Sequence, residues 1–542
     1  MNELYFGDNL DVLRKSIADN SVDLIYLDPP FNSKRDYNLL FKSPKGHDSD
    51  AQIMAFEDSW HWGEQAEREF AEIMHQPNTD VAEMMRALRS FLRENDMLAY
   101  LTMMANRLLE LHKVLKPTGS LYLHCDPTAS HYLKIVLDGV FGKENFKTEI
   151  SWKRSSAHSD AKQGRKQYGN IRDIIFFYTK NKDWKWNQQF TSYDEKYIND
   201  FYRHVEDGTG RRYRLDNLTA AKPGGDTSYE WKGVKPYNGR YWAYSKANME
   251  QFERDGRLVY TKSGMPNYKR YLDEMPGVAL QNDWQDIRPA FGNEYLGYPT
   301  QKPLALLERI IMASSNEGDT VLDPFCGCGT AVHAAQKLNR RWIGIDITHL
   351  AIALIEKRMK DAFKKAVPPL EFNVHGTPKD IDGARELADR DKYEFQYWAC
   401  SLVNAQPYQG KKKGADRGID GLIFFQDDKG PSKKIIVSVK GGENVSVPMV
   451  RDLGHVIERE KAQIGLFVTL ANPTKPMEKE AVSAGYYESP HNGNFPRIQI
   501  LTIEGLMNGT EKPRYPDLSS GGLTFKQPKK EICQAEQEAL FQ

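Results

Sequence analysis

The stretch VDLIYLDPPFN, Val22 to Asn32, decides how the chain is read. Its apolar run has the length and continuity of a strand buried on both faces. The run ends in an aspartate, two prolines and an aromatic ring, which a plain strand-end turn does not need. The prolines fix φ and remove backbone donors, so Asp28 and the carbonyl of Pro29 form a rigid pair of acceptors. Such a pair suits the exocyclic amino nitrogen of a base, a poor nucleophile because its lone pair is delocalised into the ring. Holding both N–H bonds draws that nitrogen towards tetrahedral geometry. Phe31, behind Pro30, would stack on a base rotated out of the helix. A rigid turn without chemistry is the bland alternative for this tetrapeptide alone.

Working outward, apolar strand-like runs alternate with helical spacing through the first 150 or so residues, as in GSLYLHCD and MLAYLTMMANRLLELHKVL. The alternation resumes after residue 287 and predicts a parallel sheet covered by helices. Within the second block, VLDPFCGCGT (Val321–Thr330) reads as strand, glycine-rich turn and helix start. Gly327 and Gly329 permit positive φ and close approach of a ligand to the backbone. The next strand, RWIGIDI, ends at Asp346, placed to accept from the hydroxyls of a ribose. The turn is neither GxGxxG nor a phosphate-binding loop, and Asp323 makes the pocket acidic. A cationic adenosine ligand fits better than a pyrophosphate, and S-adenosylmethionine (AdoMet) has that character.

Composition sets the outer bounds. A chain of 542 residues implies two or three domains. Its formal net charge of zero confines any nucleic-acid surface to a local patch. No apolar run approaches the roughly 18 residues of a membrane span, and MNELYFGDNL has no signal-peptide pattern. Five scattered cysteines make no disulfide framework, and Cys326 and Cys328 lack a second pair for zinc. A reducing, cytoplasmic setting is expected.

DPPF and the glycine turn, in this order, resemble the amino-methylating DNA methyltransferases in their circularly permuted β-class arrangement. The resemblance covers about residues 1 to 365 and includes LYFGDNLDVL, GSLYLHCDPTASHYLK and YPTQKPLALLERII. It implies catalysis by Asp28, Pro29, Pro30 and Phe31, with Asp8 beside the target pocket. It implies AdoMet contacts at Asp323, Phe325, Gly327, Gly329, Thr330 and Asp346, with Thr300, Gln301, Lys302 and Pro303 over the cofactor. Methyl transfer of this kind needs no metal. The segment 155–287, crowded with Tyr, Trp, Lys and Arg, is by the same analogy the target-recognition region. Arg211, Arg212, Arg214, Lys269 and Arg270 are expected on its DNA face, as are Lys34 and Arg35 after the catalytic turn. Solvated loop charges are the alternative for each. The substrate implied is duplex DNA, with no membrane partner; a homodimer and a cognate restriction endonuclease are partners the resemblance admits. Aspartate with PPF is commoner among N6-adenine members, so adenine is expected, with N4-cytosine as the alternative. RNA as substrate and a DNA-binding protein without catalysis are further alternatives.

After a Pro- and charge-rich linker, the segments DKYEFQYWACSLV, GIDGLIFFQDD, KKIIVSVKGG, VPMVRDLGHVIEREKA and AQIGLFVTL read as helix, strand, strand, helix and strand. This order resembles the restriction-endonuclease-like fold, in which strand-end acids and a lysine hold a divalent metal. Asp420 and Lys440 match those places; Ser438 stands where an acid is expected. Gln396 stands where the preceding helix usually carries a metal-binding Glu, with Glu394 close by. Two weakened oxygen ligands disfavour a hard cation, so a DNA-holding or docking role is expected. A single-chain restriction-modification protein that cuts with Mg2+ is the alternative.

The fold expected is therefore α/β: a Rossmann-like AdoMet-dependent methyltransferase domain with an inserted target-recognition region, then a second α/β, restriction-endonuclease-like domain. The boundaries are 1–154 (catalytic part), 155–287 (insert), 288–366 (AdoMet-binding part), 367–390 (linker), 391–510 (nuclease-like domain) and 511–542 (polar tail).

Overall fold

The computed structural model describes residues 1–30, 36–42, 48–57, 61–155, 166, 168–222, 224–292, 294–298, 300–364, 366, 369–408, 418–428, 430–516, 524–525, 528 and 531. Phe31, Lys34 and Arg35 lie outside the described residues.

Nine strands form the main sheet: β1 (Asn2–Phe6), β2 (Val22–Leu27), β3 (Leu115–Cys125), β4 (Phe146–Lys153), β5 (Arg172–Thr179), β6 (Asp283–Trp284), β7 (Thr320–Asp323), β8 (Arg341–Asp346) and β9 (Phe372–His375). Their order is β6-β4-β5-β3-β2-β7-β8-β1-β9. All pairings from β3 across to β9 are parallel, and β5 is antiparallel to both β3 and β4. Strand β2 is buried at all six positions, as its unbroken apolar run requires of a central parallel strand. Its one acid, Asp23, is satisfied by Lys116, by Lys185 and by the Thr320 N–H. The pairing of Leu24 with Val321 makes β2 and β7 immediate neighbours. The DPPF strand and the glycine-turn strand, about 300 residues apart in sequence, thus lie side by side.

Two boundaries differ from the sequence reading. Strand β5 belongs to the main sheet although it falls within 155–287; RDIIFFYT is a short buried run whose polar, aromatic surroundings obscure it. Strand β9 pairs with β1, and a helix follows at Ile381–Arg390, where a linker was expected. In FNVH only alternate positions need burial, so a strand at the sheet edge resembles irregular chain.

Residues Gln188–Gln281 form a compact unit of their own. Strands Leu258–Tyr260, Pro266–Tyr271, Arg212–Asn217 and His204–Val205 make a four-stranded antiparallel sheet in that order. A small core of Leu218, Trp231, Trp242, Met249 and Met265 holds it.

The C-terminal part forms a second, five-stranded sheet: β10 (Gln406–Pro407), β11 (Gly421–Phe425), β12 (Lys433–Lys440), β13 (Ile464–Thr469) and β14 (Ile498–Thr502), paired in that order. Its first two pairings are antiparallel and its last two parallel. Helix Val447–Arg459 makes the crossover from β12 to β13. The polar tail is not all without structure: Thr524 is buried against Phe424 and Gln406, and Phe525 packs on the core. The two isolated side chains find their burial in a preformed surface, so tail composition does not announce it.

Candidate active site

Four adjacent parallel strands, β2, β7, β8 and β1, deliver Asp28, Asp323, Asp346 and Asp8 to one edge of the main sheet. Ligands of open α/β sheets bind outside the carboxyl ends of such strands. A cavity of about 450 Å³ lies there, lined among others by Asp8, Asp28, Pro29, Pro30, Lys302, Asp323, Phe325, Gly327, Thr330 and Asp346. This is the size of a cofactor or nucleoside pocket.

Asp28 follows the last residue of β2 and is mostly buried. Its Oδ2 is paired with the Lys302 ammonium. Its Oδ1 is buried with no hydrogen-bond partner among the described residues. An unpaired buried acceptor is destabilising unless a ligand completes it. Tyr26, two residues before Asp28, lines the same cavity, and its hydroxyl is 3.0 Å from His124 Nδ1. His124 in turn meets Asp173 at 3.2 Å, anchoring the Asp28 end of β2.

The glycine turn is built as a cradle. Gly327 has φ +50°, and a Cβ there would lie 3.3 Å from the Tyr298 ring. Gly329 has φ +75°, and a Cβ there would lie 2.8 Å from Ile355 Cγ1. The second glycine therefore serves helix packing, and it does not line the cavity; nor does Pro303, which caps helix Leu304–Ser314. Thr300, Gln301 and Lys302 do line it. Gln301 is engaged at both ends of its amide within its own loop, to Glu294 O and Leu296 N. It shapes the loop more than it offers free polar groups.

Asp346 Oδ1 accepts from both Thr348 N and Oγ1, and Oδ2 accepts from Gly327 N at 2.9 Å. One oxygen is thus filled by backbone and side chain. The other retains capacity for one more donor, where the sequence suggested acceptance from both ribose hydroxyls. Burial raises Asp346 to about 6 against those hydrogen bonds. Burial also pushes Asp323 well above the carboxylate range, opposed by the Phe325 N–H and helped by the charges of Asp28 and Asp346. Crowded buried carboxylates of this kind favour a cation.

Arg107 escaped the sequence reading. It is buried in helix Asp96–Val114, lines the cavity, and holds Asp8 through both carboxylate oxygens at 3.0 and 3.1 Å. Its Nε reaches Asn9 Oδ1, and Asn9 Nδ2 donates to Pro324 O. Arg107 thereby ties the β1 end to the turn after β7. The available signal was a charge in the middle of an otherwise apolar helical run.

In the 188–281 unit, four of the five basic residues expected on DNA are already matched. Arg211 pairs with Asp273 and Glu274, Arg214 and Arg270 with Asp216, and Lys269 with Glu206. Arg212 is exposed and, among the described residues, bonds to neutral oxygens of Tyr202 and Asn199. Acids distant in sequence neutralise Arg211, Lys269 and Arg270, and Asp216, two positions along the same strand, neutralises Arg214.

The second candidate centre is weaker still than its sequence. Asp420 Oδ2 accepts from Val439 N at 2.7 Å, and Ser438 is buried. Glu394, the acid nearest the expected helix position, accepts from His349 N at the start of the helix that follows β8 of the main sheet. Among the described residues no group of three or more His, Cys, Asp or Glu could hold a metal ion.

The DNA methylase family profile matches residues 22–357, which include seven of the nine strands of the main sheet, most of the cavity lining and both motifs. The chain belongs to the DNA methylase family. A restriction endonuclease profile matches residues 387–488 of the same chain. The chain is 34% identical over 265 residues to the type II methyltransferase M.EcaI of Enterobacter cloacae, covering 48% of this chain and 57% of that one. It is 29% identical over 353 residues to the Mod subunit of the type III restriction-modification enzyme StyLTI of Salmonella typhimurium, covering 61% and 49%. With the DNA adenine methyltransferase YhdJ of Escherichia coli it shares 24% over 358 residues, covering 65% and 81%. The matches to M.EcaI and StyLTI thus span only about half of each relative. The PvuII cytosine-N4-specific DNA methyltransferase superposes at a TM-score of 0.34 with 13% identity, over 66% of this chain and 86% of its own, too loosely to bear on function. Among the described residues no helix is long and apolar enough to cross a membrane.

Proposed function

We propose that this DNA methylase transfers the methyl group of AdoMet to the N6 amino group of adenine in duplex DNA, with the base flipped into the cavity beside Asp28. The observation that carries the reading is the buried, unpartnered Oδ1 of Asp28 in a carboxylate-lined cavity behind the glycine turn. That oxygen accepts one amino N–H and the Pro29 carbonyl accepts the other, so the nitrogen lone pair is freed from the ring. Lys302 keeps the carboxylate oriented through its other oxygen. AdoMet, when bound, supplies an electrophilic methyl on a sulfonium. Its cationic character suits the carboxylates Asp323 and Asp346, and Gly327 leaves room for it at the turn. Arg107 and Asn9 hold the Asp8 end of the pocket in register. Proximity and orientation then do most of the work, and no covalent intermediate is needed. Adenine is favoured by aspartate at the DPPF position and by the similarity to an adenine methyltransferase.

Nucleoside mass spectrometry of unmodified duplex DNA of varied sequence, incubated with AdoMet and the protein, tests this. N6-methyladenine is expected. N4-methylcytosine would replace the target base, and no methylated base would contradict the assignment.

A further inference from the structure

The turn that follows Asp346 leads into a helix that the nuclease-like domain packs against. Helix His349–Ala362 begins immediately after this loop, and helix Lys392–Leu402 packs against it. One hydrophobic cluster runs from Tyr298 and Cys328 at the glycine turn, through Leu350, to Ile419, Leu422, Ile436 and Phe467 of the second sheet. Cofactor turn and nuclease-like core are therefore a single packed body. The ring of His349 is buried and stacks on Phe6, with centroids 3.6 Å apart, so the helix start is clamped from the β1 side as well. Across from this clamp, the Glu394 carboxylate accepts from the His349 backbone N–H at 3.4 Å, at the positive end of the helix.

We infer that the nuclease-like domain serves this enzyme as a buttress behind its cofactor pocket, with Glu394 as a positioning residue for the Asp346–His349 segment. An acid close to the place where a metal-dependent nuclease would use one is turned instead towards the methyltransferase sheet. Asp346 and Glu394 flank the same backbone turn from opposite sides. Asp346 bonds Gly327 and Thr348 on the cavity side, while Glu394 bonds the next amide along on the outside. Loss of the outer acceptor frees the helix start, and with it the carboxylate that faces the ribose site. Glu394 touches no reacting atom, so its effect falls on cofactor binding and not on the chemical step.

This inference rests on the AdoMet assignment above, and full-length protein separates the two. Steady-state methylation kinetics and AdoMet titration calorimetry are compared for wild type, Glu394→Ala and Glu394→Gln, with melting temperatures as a folding control. Glu394→Ala is expected to raise the AdoMet KM and Kd about five-fold, while kcat and the KM for DNA stay within about two-fold. Glu394→Gln keeps an acceptor for the His349 N–H and is expected to return the AdoMet KM to within about two-fold of wild type. Unchanged AdoMet affinity in folded Glu394→Ala would overturn the inference alone. So would a fall in kcat with both KM values unchanged, the mark of a smaller folded fraction. Wild-type protein that binds no AdoMet would overturn the cavity assignment and the inference with it.

Discussion

Two sheets in this molecule hold an aspartate next to a strand end, with Lys302 reaching the first from a loop and Lys440 closing β12 of the second, and the two aspartates are bonded differently. At the main sheet, Lys302 takes one oxygen of Asp28 and leaves the other buried and unpartnered over a cavity with two further buried carboxylates. At the second sheet, the Val439 amide donates to Asp420, Ser438 replaces the neighbouring acid, and Glu394 bonds across the interface to His349. The same pair of residue types thus leaves an open acceptor over a cavity in one place and is absorbed into the fold in the other. What separates them is unmet hydrogen-bonding capacity facing a cavity, not the presence of an acid.

The largest effect is expected at Asp28. Asp28→Ala should lower methyl transfer about 10³-fold, the scale of losing one oriented transition-state partner, while calorimetry finds AdoMet affinity changed by no more than a few-fold. Next comes Asp346. Because burial raises it to about 6, the folded chain holds a proton between the ordinary aspartate value and that pH which the unfolded chain has lost. Ionisation therefore opposes folding as pH rises through the window, and a ligand that donates to the ionised carboxylate offsets this. AdoMet should bind about ten-fold more tightly at about pH 7 than at about pH 5, and a thermal-shift series with Asp346→Asn should be flatter. A smaller contrast divides the recognition unit. Arg212→Ala should weaken DNA binding and lower the slope of log K against log salt by about one. Lys269→Ala, which leaves Glu206 unmatched, should lower the melting temperature more than DNA affinity. If both substitutions act alike on the salt slope, the ion pairs do not set the DNA face. Least of all, Lys440→Ala should leave methylation unchanged.

Much of this contrast was legible in the sequence. A largely apolar run of six residues closing in Asp-Pro-Pro reads as a buried strand delivering acceptors, and VLDPFCGCGT announces its turn through glycine spacing. The element order of the nuclease-like domain was equally plain, since each strand there is a short apolar run between polar turns. Long-range pairing was not legible. Nothing local in RRYRLDN says that Asp216 meets Arg270, or that Lys269 meets Glu206. Arg107 looked like one charge on a helix because its partner Asp8 is 99 positions away. Strands β5 and β9 were hidden by neighbours of different composition. Glu394 could be read as near a metal site from spacing, but its direction depends on which domain packs against its helix.

The most direct test of the central claim is single-turnover transfer of labelled methyl from AdoMet to duplex DNA, with wild type, Asp28→Ala and Lys440→Ala side by side at saturating cofactor. Loss of transfer in Asp28→Ala alone, with Lys440→Ala matching wild type, is the predicted result. Transfer retained by Asp28→Ala, or lost in Lys440→Ala, would contradict the assignment of the chemistry to the main sheet.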